Sequence, residues 1–475
     1  MVDTTIPSVD AQIVDEKYTP GVGSAGRIAI VGKFEKGNGN TVYYAQNAND
    51  ALAEMGNSPS YEGSKIIPLI FKNDENISGS RGADSCLCVK IGASIGASVI
   101  LSNVTGETTT TVLTFSLAGG VWGNSLKISV GDGTQGTTKK ITIYDSDDKI
   151  LQQEDNLGNT DDIIARFTVN NKYIKSIVKA DTQLAITNTT TATSFNGGTE
   201  TASPSATDLA TTLDVLLDED FDILVFTEEL GDTAYEAIKV YLDQRFEIDK
   251  PAGAVLGIKS EGTDAKTVDE AVTLAETLNT TNIYGLIYQK FTSGIQELTE
   301  VESAARYAGL LAGLPVQTSA TNKEIGDITA LSTTYNTRGS GSEGYALVNA
   351  GITILQEKDR RNNTYKVISA VTPNQEINNY GRKNQEVIFA RTRNYISKYF
   401  DLADLLGENR DISLVNIKAT LEAKKQEILT AGVVQELSYN AEFDTTDPQL
   451  VLVDIYIKTQ NIVKHISKRI KAEDG

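Results

Sequence analysis

The sequence predicts an α/β plus β chain: a discontinuous α/β domain with a mostly parallel sheet, an inserted β-rich domain, and a C-terminal α+β domain whose ends form strand-like arms. Three observations predict it. Short apolar runs without alternation, such as GRIAIVGKF, CLCVKIG and FDILVFT, suit strands covered on both faces by helices. From about Ser102 to Ser203 the chain turns rich in Thr, Gly, Asn and Ser, with period-two runs that favour antiparallel strands with one wet face. After Pro204, strand and helix patterns alternate three times, as a parallel sheet with right-handed crossovers requires.

Taken in order, residues 1–20 form an N-terminal arm, and residues 21–101 with 204–343 form the discontinuous α/β domain. In its first part the strand GRIAIVGKF is followed by a short helix at DALAEMG and by the buried strand CLCVKIG. Residues 102–203 are the inserted β-rich domain, with strands TVLTFSL, LKISV and KKITIYD separated by the turns GDGTQG and DSDD. The second α/β part reads as strand FDILVFT, helix DTAYEAIKVYLDQRF, strand AGAVLGI, helix VDEAVTLAETL and strand NIYGLIYQ. Leu298, Val301, Ala305, Ala308 and Leu311 then recur at helical spacing, predicting an amphipathic helix with a small-residue face before Pro315.

Residues 344–475 form the C-terminal domain, including a C-terminal arm over 449–475. Here ALVNAGITIL and YKVISAVT read as two strands around the charged turn EKDRRNN, with Arg360 and Arg361 in a solvated loop. Two helices follow, one through RNYISKYFDLADLLG and one through Leu414, Ile417, Leu421 and Ile428, closed at Gly432 by a left-handed cap. In LVLVDIYIK the residues Val451, Val453, Ile455 and Ile457 alternate as in a strand. The spacing of Ile462, Ile466 and Ile470 fits a helix or an irregular strand.

Composition narrows the function. The 475 residues suggest about three domains. With 43 Lys+Arg against 63 Asp+Glu, the net charge is −20, which repels nucleic acid and anionic membranes. The one histidine, His465, cannot build a multi-histidine metal site or a conventional triad. Cys86 and Cys88 point the same way from one strand and read as core thiols, because CxC alone offers a metal too few ligands. The acidic start MVDTTIPSVD does not look like an export signal, and no apolar run spans a bilayer, so a soluble cytoplasmic product is expected.

Individual motifs point away from chemistry. GVGSAG at residues 21–26 matches a dinucleotide fingerprint letter for letter, but it precedes a strand where the fingerprint must follow one, so it reads as a flexible hinge or a tight entry into the sheet. DEDFD at 218–222 lacks the spacing and central glycine of a calcium loop and reads as a solvated helix-to-strand connection. Trp122, the single tryptophan, lies among Gly119, Gly120 and Gly123, which permit unusual backbone around one bulky anchor.

The two ends carry opposite charge. The N-terminal arm has Asp3, Asp10, Asp15 and Glu16 against Lys17, with Val9, Ala11 and Ile13 alternating as in a short strand. The C-terminal arm has Lys458, Lys464, Lys468, Arg469 and Lys471 and no acid between residues 455 and 472. An isolated terminal strand leaves its backbone unpaired and so is either disordered or adds to a sheet, including one of another subunit. Opposite charge favours pairing between the two arms over like-with-like pairing.

GRIAIVGKFEKG, GGVWGNSLKISV with Gly119, Trp122, Gly123 and Asn124, the series RNYISKYFDLADLLGENRDISLVNIKATLEAKKQEILTAGVV, and VLVDIYIKTQNIVKHI occur in an order that resembles the contractile-tail sheath proteins. That family serves myovirus tails, R-type bacteriocins and contractile injection systems. The resemblance implies a non-enzymatic structural subunit without cofactors. Its partners would be itself, in a helical stack of hexameric rings, and the inner tail tube, baseplate and tail terminator proteins. It implies localisation in a virion tail or contractile particle assembled in the host cytoplasm. It also implies that the arms, about Val2 to Tyr18 and Val451 to Lys471, exchange strands with neighbours through Ile6, Val9, Ile13, Val451, Val453, Ile455, Ile457 and Ile462. The alternatives are a nucleotide-dependent α/β enzyme and a surface adhesin.

Overall fold

The computed structural model describes residues 25–73, 82–169, 173–180, 185–337, 339–359, 364–376, 386–402, 410–446 and 451–459. The first α/β segment comprises β1 (Arg27–Gly32), β2 (Val42–Ala45), α1 (Ala48–Met55), α2 (Glu62–Ile70) and β3 (Ser85–Lys90). The β-rich segment follows with β4 (Ser94–Thr105), β5 (Thr108–Gly119), a 3₁₀ turn (Val121–Ser125), β6 (Lys127–Asp132), β7 (Lys139–Tyr144), β8 (Ile150–Leu157), α3 (Thr160–Val169), β9 (Ile174–Lys179), β10 (Thr193–Ser194) and β11 (Thr199–Glu200). Alternation of helix and strand resumes with α4 (Ala206–Val215), β12 (Ile223–Phe226), α5 (Asp232–Glu247), β13 (Gly253–Gly257), α6 (Val268–Leu278) and β14 (Ile283–Ile287). Then come β15 (Phe291–Ser293), β16 (Gln296–Glu297), α7 (Glu300–Gly313), β17 (Ile328–Leu331), α8 (Glu343–Ala350), β18 (Leu355–Asp359), β19 (Thr364–Val367), α9 (Val387–Tyr399), α10 (Arg410–Thr430), β20 (Glu436–Phe443) and β21 (Val451–Lys458).

The continuous apolar strands form one sheet in the order β14-β13-β12-β1-β3-β2. All neighbours are parallel except the edge strand β2. Because helices cover both faces, β12, β13 and β14 are buried along their whole length. Residues before and after the β-rich segment contribute adjacent strands, β1 and β12, with Ile28 opposite Ile223, so the two α/β segments share one sheet. Capping boxes start three of the helices: Ser205 with Asp208 at α4, Thr267 with Glu270 at α6, and Thr299 with Glu302 at α7.

The β-rich segment builds two four-stranded sheets, β10-β6-β7-β8 and β11-β4-β5-β9, around a separate core that includes Phe115, Phe167 and Phe195. β4 runs across the boundary expected at Ser102. It pairs with β5 and β11 and not with the parallel sheet.

Several local expectations change. ALVNAGITIL is not a strand: its first half is α8, ended by Gly351 at φ 95, where a Cβ would lie 2.4 Å from Pro373 Cα. Only the part from Leu355 enters the predicted hairpin, pairing with β19. Arg360 and Arg361 in its turn lie outside the described residues, as do residues 21–24 of GVGSAG.

Helix α7 is also more than amphipathic, since every residue from Glu300 to Ala312 is buried. Its small face lets α2 approach closely, and a Cβ on Gly309 would lie 2.7 Å from the Ile70 carbonyl oxygen. Because that neighbour is backbone, Gly309→Ala is expected to cost about 1–3 kcal/mol, measurable by urea denaturation.

Candidate assembly surfaces and the junction of the inserted domain

Of the arm residues singled out in sequence, Ile6, Val9, Ile13, Asp10, Asp15, Glu16, Ile462, Lys464, Lys468 and Arg469 lie outside the described residues. The strand β21 is described. It forms a two-stranded antiparallel sheet with β20 of the same chain, in register from Glu436 opposite Lys458 to Phe443 opposite Val451. Val451, Val453, Ile455 and Ile457 turn toward the core of Ile417, Leu421, Ile428 and Leu437. Their side chains are therefore used within the chain, and the second edge of β21 has no partner strand among the described residues. The outward face exposes Leu452 and Tyr456, the latter 62% accessible. Lys458 meets Glu436 at 2.5 Å, an exposed pair of little energetic weight. Alternation located the strand, but which face met the core depended on α10.

Gly119, Trp122, Gly123 and Asn124 come together at the base of the β-rich segment. Gly119 N donates to Asn38 Oδ1 at 3.0 Å. A Cβ on Gly119 would lie 2.6 Å from Gly37 O, and one on Gly120, at φ 122, 2.5 Å from Glu35 O. These two glycines are thus needed for the close approach of two backbones. Gly123 packs against Leu117, and Asn124 exchanges two 2.9 Å hydrogen bonds with Gly198. Trp122 donates its indole N–H to Ala118 O at 3.2 Å, and Lys36 Nζ lies 4.8 Å from its ring centroid. Beside them, Lys90 is 3% exposed and pairs with Glu200 at 2.7 Å. Burial lowers the Lys90 pKa. Tyr61 donates to the other Glu200 oxygen at 2.8 Å, and burial with that carboxylate pushes its phenol well above the usual range. The motif is an anchor between two layers.

An α/β enzyme would bind its ligand at the carboxyl ends of β1 and β12, where the strand order reverses. That crevice is bridged by protein. Lys33 N donates to Thr227 Oγ1 at 2.8 Å, Lys33 Nζ meets Glu228 at 3.5 Å, and a Cβ on Gly32 would lie 1.8 Å from Thr227 Oγ1. Glu302 at the start of α7, 2% exposed, accepts from Thr299 N at 2.7 Å. Burial raises the pKa of Glu302 and of Glu228, in both cases against hydrogen bonds that favour the charged form. A carboxyl whose folded pKa lies above its ordinary 4.5 destabilises the fold at neutral pH and is relieved as pH falls through that raised value. Glu302→Gln keeps a capping side chain and removes the charge. It is expected to raise stability at pH 7 and to flatten the acid-side gain, as thermal melts across pH would show.

The acidic run DEDFD is paired as well as solvated. Lys398 Nζ contacts both Asp220 and Asp222 at 3.0 Å, and Arg27 N donates to Asp222 Oδ2 at 3.1 Å. No carboxylate, histidine or cysteine group suited to a metal occurs among the described residues. Cys86 and Cys88 are buried free thiols, with sulfurs 3.8 Å apart.

No family model and no curated protein matches the sequence. Solved structures do match. The sheath tail protein of Listeria innocua superimposes with a TM-score of 0.68 at 14% identity, over 93% of each chain. The fold is that of the tail sheath proteins. The sheath tail protein of Desulfitobacterium hafniense shares it, with a TM-score of 0.62 at 13% identity over 94% of this chain and 99% of that one. So does the helical sheath of the anti-feeding prophage in its contracted state, with a TM-score of 0.52 at 10% identity over 98% and 100% of the chains. At coverages of 93%, 94% and 98% of this chain, the likeness is not confined to the α/β sheet.

Proposed function

We propose that this chain is a structural subunit of a contractile tail sheath, not an enzyme. It polymerises as a helical stack of hexameric rings around an inner tail tube and contracts to drive the tube through a target envelope. The observation that carries this reading is the fold likeness over nearly the full length to sheath proteins, one of them a helical assembly in its contracted state. The edge of β21 without a partner strand among the described residues supports strand addition by a neighbouring subunit, since unpaired backbone groups at a sheet edge recruit another strand. The N-terminal arm of a neighbour is the proposed added strand, its acidic residues matched to the basic C-terminal arm.

Contraction then needs no nucleotide. The same folded bodies adopt two packings, joined by flexible linkers, and free energy is released as contacts grow in the shorter lattice. The tube, baseplate and terminator proteins are the proposed partners, and the β-rich domain is proposed to face outward. Assembly is tested by pelleting the purified chain across a salt series. If arm charges guide pairing, assembled material falls as ionic strength rises, because screening shortens the reach of those charges. A yield independent of salt removes the electrostatic contribution and leaves backbone pairing alone.

A further inference from the structure

The chain contains two Asn-Gly pairs, Asn38-Gly39 and Asn196-Gly197. Glycine after asparagine leaves the next backbone nitrogen with the least steric hindrance to reaching the asparagine amide carbon, since glycine has no Cβ. The fold treats the two pairs differently. Asn38 is exposed as well, but its Oδ1 accepts from Gly119 N at 3.0 Å and a Cβ on Gly39 would lie 1.8 Å from Gly92 O, so this pair is held against the junction. Asn196 is exposed, and its amide donates only to Ser194 O, at 3.0 Å. Gly197 has φ +81, and a Cβ there would meet no atom within 4 Å. Its N–H has no acceptor among the described residues, while Asn196 N and Gly198 N are held by Ser98 O and Asn124 Oδ1, each at 2.9 Å.

We propose that Asn196 is a site of spontaneous deamidation. The Gly197 nitrogen, losing its proton to water or hydroxide, attacks Asn196 Cγ. The new C–N bond closes a five-membered succinimide, and the side-chain nitrogen leaves as ammonia. Water then opens the ring at either carbonyl. One product is aspartate. The other is isoaspartate, whose backbone runs through Cγ and so gains the Cβ methylene. Either product adds a negative charge, and the second lengthens the chain two residues before Gly198, where Asn124 anchors the β-rich segment. Ageing therefore acts on the base of the inserted domain, whatever the chain's larger role.

The test is to incubate the purified full-length protein at mildly alkaline pH and 37 °C, then map peptides by mass and assay isoaspartate at each pair. The folded chain is expected to convert Asn196 at least about fivefold faster than Asn38, the factor that one ordinary net hydrogen bond represents. The urea-unfolded chain is expected to convert both at similar rates, and Asn196→Gln to remove the folded-state isoaspartate. Equal folded-state rates, faster conversion at Asn38, or an unreacted Asn196 while the unfolded chain reacts would each overturn the proposal.

Discussion

Asp327→Asn is expected to destabilise the α/β body by about 3–5 kcal/mol, because it strands a buried positive charge. Arg306 on α7 is 0% exposed and contacts Asp327 Oδ1 through two nitrogens at 2.8 Å. Lys72 meets Oδ2 at 2.8 Å, and Ser293 donates to the same oxygen at 2.5 Å. Asp327 thus ties the end of α2, the strand β15 and helix α7 to the start of β17. Burial alone would raise its pKa, but the Arg306 guanidinium, Lys72 and Ser293 together outweigh burial and hold it down from 3.8 to about 2. A depressed carboxylate contributes stability that is fully present above the unfolded value of 3.8 and is lost as pH falls through about 2. The shift corresponds to about 2 kcal/mol of pH-dependent stability. Urea titrations at neutral pH should show the loss, and the variant's stability should vary less than the wild type's between pH 4 and 2. In a double-mutant cycle, Arg306→Leu added to Asp327→Asn should recover part of the loss, since the stranded charge is then gone.

Deletion of residues 1–18 is expected to leave a folded, soluble monomer that no longer forms tubes. Among the described residues, the hydrophobic clusters are built from Ala25 onward. Under the proposed strand exchange, however, each neighbour loses the strand that would cover β21. Circular dichroism and thermal melts of the deletion should match the full chain, while electron micrographs show no sheaths. Normal sheaths from the deletion would end the strand-exchange proposal and leave the fold likeness untouched.

Much of the fold is legible in sequence where burial is two-sided. FDILVFT, AGAVLGI and NIYGLIYQ are apolar without alternation, and they became β12, β13 and β14, buried throughout. Helix signals failed where tertiary context decided. The residues of α8 are Ala-, Leu- and Val-containing enough to suit a strand, and the terminating Gly351 is visible only once its φ is known. Helix α2 carries Pro68 inside it, which sequence rules discourage.

Buried charge was illegible altogether. Arg245 at the end of α5 reads as a surface residue, yet it is 0% exposed and donates to the carbonyls of Leu216, Leu217, Glu219 and Lys250. Nothing in QRF announces that the end of α4 needs those donors. At the junction, the cluster of glycines around Trp122 marked a tight place, but its partners Glu35, Asn38 and Glu200 are distant in sequence and came from the fold. For the arms, the alternation in β21 was readable, and its pairing with β20 in the same chain was not.

The central claim, that the chain is a sheath subunit, is tested most directly by negative-stain electron microscopy of the purified full-length protein at increasing concentration. The proposed role predicts hollow tubes or stacked rings with six-fold symmetry and no requirement for nucleotide. Particles that stay monomeric at every concentration and salt, with melting temperature raised by a nucleotide and Mg²⁺, would contradict it and favour an α/β enzyme.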